Sequence, residues 1–464
     1  MKLDWNKLIT AKRFGASTYH LKTDARTEFE RDLDRIIFSS PFRRLKDKTQ
    51  VFPVPKSDFV HNRLTHSIEV SSIGRSIGKL AGEFILKKEG EIYDNEGNEL
   101  ITATTIGHIV AAACLAHDIG NPPFGHSGEQ SFRVFFKKFF AQRDNEDFLN
   151  ELSQKERRDF LEFEGNAEGF RILTNDHPSG QQGGLKLTYS TLGAFTKYPK
   201  ESIIENLNSR GELTPKRRSK KKVGFFQSER SIFEEIANDL GLIRLSDSDR
   251  YWCRHPLSFL VEAADNITYT LMDIEDGHKL KLIQTEDVVN LLKPIANSLP
   301  DDPCPIEEFD RIENEDERVG AYRAKAINAL IFQAEKAFED NYDGIMSGTY
   351  DSELTESIRS KEDFEKISDR TNKFFQNEKV VEIEFAGMHV VSGLLSIYLD
   401  AYRNIEEKYA KNLIGNLPKQ FQFDSSTRKY DVLLKISTFI SRMTDNYALD
   451  FYRKLTGHKL PEII

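Results

Sequence analysis

The amino-acid sequence predicts a mainly α fold, on three observations. Apolar residues recur at helical spacing, as in PLSFLVEAADNITYTLMDIEDG, where Leu257, Leu260, Val261, Ala264, Ile267 and Leu271 share one face. Alternating apolar and polar runs are scarce, so few strands are expected. Short polar clusters such as YDNEGNEL (Tyr93 to Leu100) and PSGQQGG (Pro178 to Gly184) separate long periodic segments.

Taken in order, Thr27 is a capping residue for TEFERDLDRIIFSSPFRRL, read as one amphipathic helix ending near Leu45. KDKTQVFPVP follows as an extended piece, because residues before Pro53 and Pro55 are pushed out of the α region. Helical periodicity then places helices at about 62–88, 103–118, 127–142 and 146–175, and a short one at about 188–197. Beyond Asp276 further helices are expected, interrupted by SLPDDPCP (Ser298 to Pro305). No internal repeat or low-complexity tract stands out.

Composition narrows the class. With 464 residues, of which 39% are hydrophobic, the chain can bury a large core. No stretch is expected to supply the roughly 20 apolar residues that span a bilayer. MKLDWNKLITAKRFG lacks the apolar centre of a signal peptide. Cys114, Cys253 and Cys304 are few and scattered, which argues for a reducing compartment and against a thiolate metal site. A cytoplasmic protein without membrane partners is expected.

The richest segment is CLAHDIGNPPFGHSGE, from Cys114 to Glu129. An apolar helical run delivers His117 and Asp118 together, and Pro122 and Pro123 stop the helix. Most His-Asp dipeptides are surface pairs or caps, but here the chain offers further partners. His66 opens a long amphipathic run, and Asp265 interrupts an apolar helical stripe. Two imidazoles and two carboxylates suit a divalent cation of borderline hardness. Asp265, Tyr269 and Asp273 are four apart, so they rise along one helix face. His126 and Glu129 supply groups that can move protons. Arg63 lies one turn before His66, where a guanidinium could grip a phosphate oxygen.

One charge run opposes the acidic background of net charge −9. PKRRSKKK, from Pro215 to Lys222, holds six basic residues. A solvated loop is its plain explanation; an electropositive flap for polyphosphate is the functional one. Phe225 and Phe226 do not interleave with the lysines, so stacking of single-stranded nucleic acid is the weaker alternative. His61, His108, His177, His255, His278 and His389 are assigned no chemistry: His61 is expected at the surface, and His255 as a cap before Pro256.

The pattern His66, His117-Asp118 and Asp265 resembles the HD superfamily of metal-dependent phosphohydrolases. Further words narrow the likeness: RRLKDKTQVFPV, HNRLTHSIEV, HDIGNPPFGHSGE, LTYSTLGAFTKYP, KKVGFFQSE, EAADNITY and RMTDNYALDFY, in that order from Arg43 to Tyr452. These are similar to the deoxyguanosine triphosphate triphosphohydrolases. The resemblance implies hydrolysis of dGTP or other dNTPs at the α-phosphorus, giving deoxynucleoside and tripolyphosphate. It implies His66, His117, Asp118 and Asp265 as ligands of a divalent metal (Mn²⁺, Mg²⁺ or another transition metal), with His126 and Glu129 as the catalytic pair. Lys197, Tyr198, Lys222 and Arg63 would meet the triphosphate, and Gln50, Tyr269 and Asp273 the deoxyribose. It further implies an HD-type catalytic domain over 1–280, with an N-terminal extension and a basic loop insertion near 200–228. Residues 281–464 would form a helical C-terminal region packed on that core. A homo-oligomer, tetramer or hexamer, and in some members a dNTP activator, belong to the same expectation.

Overall fold

The computed structural model describes residues 2–15, 25–50, 61–94, 97, 100–175, 183–202, 217–246, 249–299, 305–374 and 378–459. Its principal helices are α1 (Glu28–Ile37), α2 (Arg63–Glu89), α3 (Ala103–Ala116), α4 (Gly125–Ala141), α5 (Gly165–Thr174), α6 (Tyr189–Phe195) and α7 (Pro256–Lys279). They continue as α8 (Thr285–Ala296), α9 (Glu315–Asp340), α10 (Glu378–Arg403), α11 (Lys429–Ser441) and α12 (Asp445–Leu455). Pairing between extended segments, among the described residues, is confined to isolated bridges such as Lys200 with Tyr251. The fold is mainly α, as its periodicity requires. The extended piece at Pro53 and Pro55, the loop over 178–182, part of the basic insertion (203–216) and Cys304 lie outside the described residues.

Two long helices of the sequence reading are broken. The expected run to Leu45 stops at Ile37, where Ser39 starts a new turn by accepting from the Phe42 amide. Pro41 lies in that turn, and its missing N–H forbids continuation of the earlier helix. The expected helix at 146–175 is three: Glu146–Glu151, Gln154–Leu161 and α5. Ser153 and Glu156 form a capping box that restarts the chain after extended Leu152.

The buried side chains group into two cores, and these do not part at residue 280. The larger runs from Leu3 to Phe374 and joins α2, α3 and α7 to α8 and α9. The smaller joins the phenylalanines of α4 and its following turns (Phe132, Phe136, Phe139, Phe148, Phe160 and Phe163) to α10, α11 and α12. Within α10, Val381–Arg403 is long and apolar enough to cross a membrane by length and composition, a stretch the sequence reading did not anticipate. Its inward residues Val390, Val391, Leu394, Leu395 and Tyr398 build the second core.

The HDIG loop is pressed against α5. A side chain at Gly120 would place its first carbon 1.9 Å from the Gly165 carbonyl oxygen, so only glycine permits the approach. Near the other end of the first core, fully buried Asp32 of α1 sets the start of α6. It accepts from Arg13 Nη1 at 2.5 Å, the Thr188 amide at 3.0 Å and Thr188 Oγ1 at 2.6 Å. Asp32→Ala would leave buried Arg13 with Glu28 as its one remaining carboxylate and strip the buried Thr188 amide of its acceptor, a loss of about 3–5 kcal/mol. Chemical denaturation should register it, and an unchanged midpoint would show that the network is not needed.

Candidate active site

Three helices bring the candidate metal-binding set together. His66 rises from the first turn of α2, whose start Asn62 fixes by accepting the Leu64 and Thr65 amides. His117 closes α3, Asp118 follows it, and Asp265 stands within α7. The ligand atoms of His66, His117 and Asp118 lie within 4.8 Å of one another. Asp265 Oδ1 faces both rings, 3.2 Å from His66 Nε2 and 3.4 Å from His117 Nε2, while Asp118 Oδ1 is 3.5 Å from His117 Nε2. Atoms held about 2.0–2.2 Å from one shared ion sit roughly 3–3.5 Å apart, so the spacing fits a metal.

Protonation agrees with that fit. His117 Nδ1 lies 2.7 Å from the Cys114 carbonyl oxygen, which can only accept, so Nδ1 carries hydrogen and Nε2 presents its lone pair to the cluster. Burial opposes a charge on His117, but Asp118 and Asp265 outweigh it and lift the imidazole to about 9. The carboxylates that favour a proton at Nε2 favour a divalent cation there equally. Burial would raise Asp265 too, yet the two imidazoles drive it well below the usual carboxylate range. Asp118 is anchored by Arg63 Nη1 at 2.8 Å and by the Asn121 carboxamide.

The His126–Glu129 pair, the candidate for proton transfer, sits beside this set. Phe124 adopts the left-handed conformation (φ 63°), which costs a non-glycine residue roughly 1–2 kcal/mol. That turn starts α4 and delivers His126 to the cavity rim, its side chain 83% exposed and Nδ1 3.3 Å from Glu129 Oε2. Glu129 is buried, and its other oxygen accepts the Gly165 N–H at 2.7 Å. Burial would raise its pKa, but His126 and Lys222 outweigh burial and hold it at about 2. A permanent carboxylate at Nδ1 leaves His126 Nε2 for other work.

These groups line one cavity of about 290 Å³, together with Gln50, Arg63, Lys197, Tyr198, Lys222 and Tyr269. Lys197 Nζ lies 3.1 Å from Glu262, which also holds Arg254 at 2.6 Å. Lys222 Nζ lies 3.1 Å from Glu164. Of the rest of the described run, Arg217 bonds the Gly348 carbonyl, while Arg218 pairs with Glu353 and reaches the back of Glu262, 3.4 Å away. Among the described residues of the run expected to form a flap, Lys222 is the member that lines the cavity. Gln50 Oε1 is buried and has no hydrogen-bond partner among the described residues. Asp273 does not line the cavity; it is buried behind Tyr269, and burial together with Asp276 pushes its pKa well up. A larger cavity, about 490 Å³ beside Phe38, Arg44, Arg442 and Tyr447, holds none of these ligand groups.

Sequence reasoning missed Asn121, Glu164 and Glu262, which hold the functional groups in place. Only Glu262 gave a signal, three residues before Asp265 on the same helix face. His61 is no surface residue: Nδ1 lies 2.8 Å from Asp276 and Nε2 3.4 Å from Glu69. His255 does cap its helix, Nδ1 accepting from the Leu257 amide at 3.1 Å.

Two measurements check this construction. Asp265→Ala should abolish metal content, because both rings lose the carboxylate that faces them; metal analysis showing a wild-type content would refute the assignment. Burial opposes the charge on His61, but Asp276 and Glu69 lift it from 6.5 to about 9. A raised imidazole stabilises the fold fully below its unfolded value and loses that contribution as pH climbs through the folded one. Between pH 6.5 and 9 the wild type should lose roughly 1–2 kcal/mol relative to His61→Asn, allowing for solvent screening. Parallel stability curves for the two proteins would refute it.

Comparison with known proteins gives a consistent picture. A family model described as "HD domain" matches residues 63–168, from α2 to α5. A "Deoxyguanosinetriphosphate triphosphohydrolase-like protein" of Synechocystis sp. is 38% identical, covering 99% of this chain and all of the relative. A protein of the same name from Pseudomonas aeruginosa is 36% identical, again over 99% of the chain and its own whole length. A "Deoxyguanosinetriphosphate triphosphohydrolase" of Enterobacter sp. is 28% identical over 98% of both.

Proposed function

The chain belongs to the deoxyguanosinetriphosphate triphosphohydrolase-like family and is a hydrolase, and from that premise we propose that it splits deoxynucleoside triphosphates, dGTP among them, into deoxynucleoside and tripolyphosphate. The observation that carries this reading is the convergence, in one cavity, of the His66, His117, Asp118 and Asp265 set, the His126–Glu129 pair and the cations of Lys197, Lys222 and Arg63. Mn²⁺ or another transition ion suits two imidazoles better than Mg²⁺, which favours oxygen ligands. Bound there, it would neutralise phosphoryl charge and lower the pKa of water.

The chain's own residues then have distinct tasks. Lys197, Lys222 and Arg63 hold the triphosphate, and each is fixed by a carboxylate that spares the substrate the cost of arranging it. Gln50 Oε1, an acceptor with no donor among the described residues, suits the sugar 3′ hydroxyl, and Tyr269 lies on the same cavity wall. Water adds its oxygen to the α-phosphorus while the bond to the 5′ oxygen breaks. That oxygen is a poor leaving group unless protonated, and His126 Nε2 is placed to supply the proton. Glu129 stabilises the charged ring and keeps Nδ1 occupied.

Ion chromatography of the products tests the proposal: tripolyphosphate from a dNTP supports it, whereas orthophosphate or pyrophosphate overturns it. His126→Ala should keep its metal while kcat falls about 10²–10⁴-fold, the usual worth of a general acid. Loss of metal in that variant would make His126 a ligand instead.

A further inference from the structure

The segment RMTDNYALDFY lies in the second core and contributes nothing to the cavity wall. Asp445 is the first residue of α12 and only 3% exposed. An aspartate in a first turn commonly serves its own helix, whose free N–H groups favour negative charge. Asp445 turns away from it. Oδ1 accepts the Phe124 amide at 2.9 Å, and Oδ2 accepts the Thr49 amide at 2.9 Å and Thr49 Oγ1 at 2.6 Å.

Both partners sit beside groups that face the cavity. Thr49 precedes Gln50, and Phe124 is two residues before His126. Phe124 is also the left-handed residue that aims α4, a conformation that needs outside support. A second support comes from α10, where the Phe124 ring occupies the space that a side chain at Gly387 would fill. Lys48, itself buried, makes a parallel tie: its ammonium donates to the Asn121 carbonyl and, at 2.8 Å, to the Ser441 carbonyl. Three segments distant in sequence, Lys48–Gln50, Asn121–His126 and Ser441–Asp445, are thus knotted at one buried point.

We infer that Asp445 is a positioning residue for the reaction: from the second core it locks the loop bearing His126 against the Thr49 segment without touching substrate. This rests on His126 acting as the proton donor. A lock of this kind matters because displacing a reacting group by about 1 Å can cost on the order of 10²-fold in rate. In Asp445→Asn one oxygen is replaced by an NH₂ group, which must confront an N–H donor on one arm of the lock.

The test is a double-variant cycle on the metal-loaded enzyme, with kcat measured for wild type, Asp445→Asn, His126→Ala and the pair. Asp445→Asn is expected to keep its metal and lose roughly 10–100-fold in kcat. In the His126→Ala background the same change should alter kcat by less than about threefold, since the group being positioned is gone. Equal losses in both backgrounds would reduce Asp445 to general support of the fold and overturn the inference, as would an unchanged kcat in Asp445→Asn. If Asp445→Asn does not fold, Thr49→Val replaces it in the cycle, removing one of the three bonds at constant shape, with the same non-additivity expected. Failure of the His126 reading is separable, because His126→Ala alone would then retain near-normal kcat.

Discussion

The arrangement of this protein depends on one oxygen, Asp265 Oδ1, held between the imidazoles of His66 and His117. A half-buried carboxylate is best accommodated where donors or cations face it, and α2, α3 and α7 meet at that point. The demand propagates outward. Asp118 brings a second negative charge and calls up Arg63 and Asn121. Glu262, one turn before Asp265, draws Lys197 and Arg254 to the same wall. The first core is thus organised around a patch of alternating charge that apolar packing alone would not tolerate.

The second core has a different relation to the chemistry. Its stacked phenylalanines include Phe132 against Phe163 and sit beneath the part of α4 that follows His126. α10 meets the loop at Phe124, and α12 meets it through Asp445. The HDIG loop therefore hangs between two bodies of apolar packing. Gly120 is clamped to α5 at one end, and Phe124 is fixed from the C-terminal helices at the other.

Much of this was legible in the sequence, for identifiable reasons. Periodicity marked the long helices, and α2, α3 and α4 fall within two residues of their expected limits. Donor chemistry picked out His66, His117, Asp118 and Asp265, because few other roles unite those residue types. What stayed hidden depends on contacts remote in sequence. Nothing near His61 announces Asp276, and nothing near Asp445 announces Thr49 or Phe124. The helix break at Ser39 was readable in principle, since Ser39 and Pro41 together carry both a cap and a lost donor. An apolar stripe on both sides of the break disguised it. Asp273 was drawn toward the site by its spacing, but four residues also carry a side chain along the helix axis, and here that is far enough to leave the cavity.

In the proposed reaction the carboxylates behind Lys197, Lys222 and Arg63 would bear on how it ends as well as how it begins. Hydrolysis at the α-phosphorus would produce an anion more highly charged than the substrate, in the same seat. Bare ammonium groups would retain such a product, and departure would throttle turnover. With Glu262, Glu164 and Asp118 already sharing those cations, each released contact falls back to a waiting partner instead of an uncompensated buried charge. In the proposed reaction the acidic ring would thus act as an escapement, letting the spent polyanion go and resetting the cations for the next nucleotide.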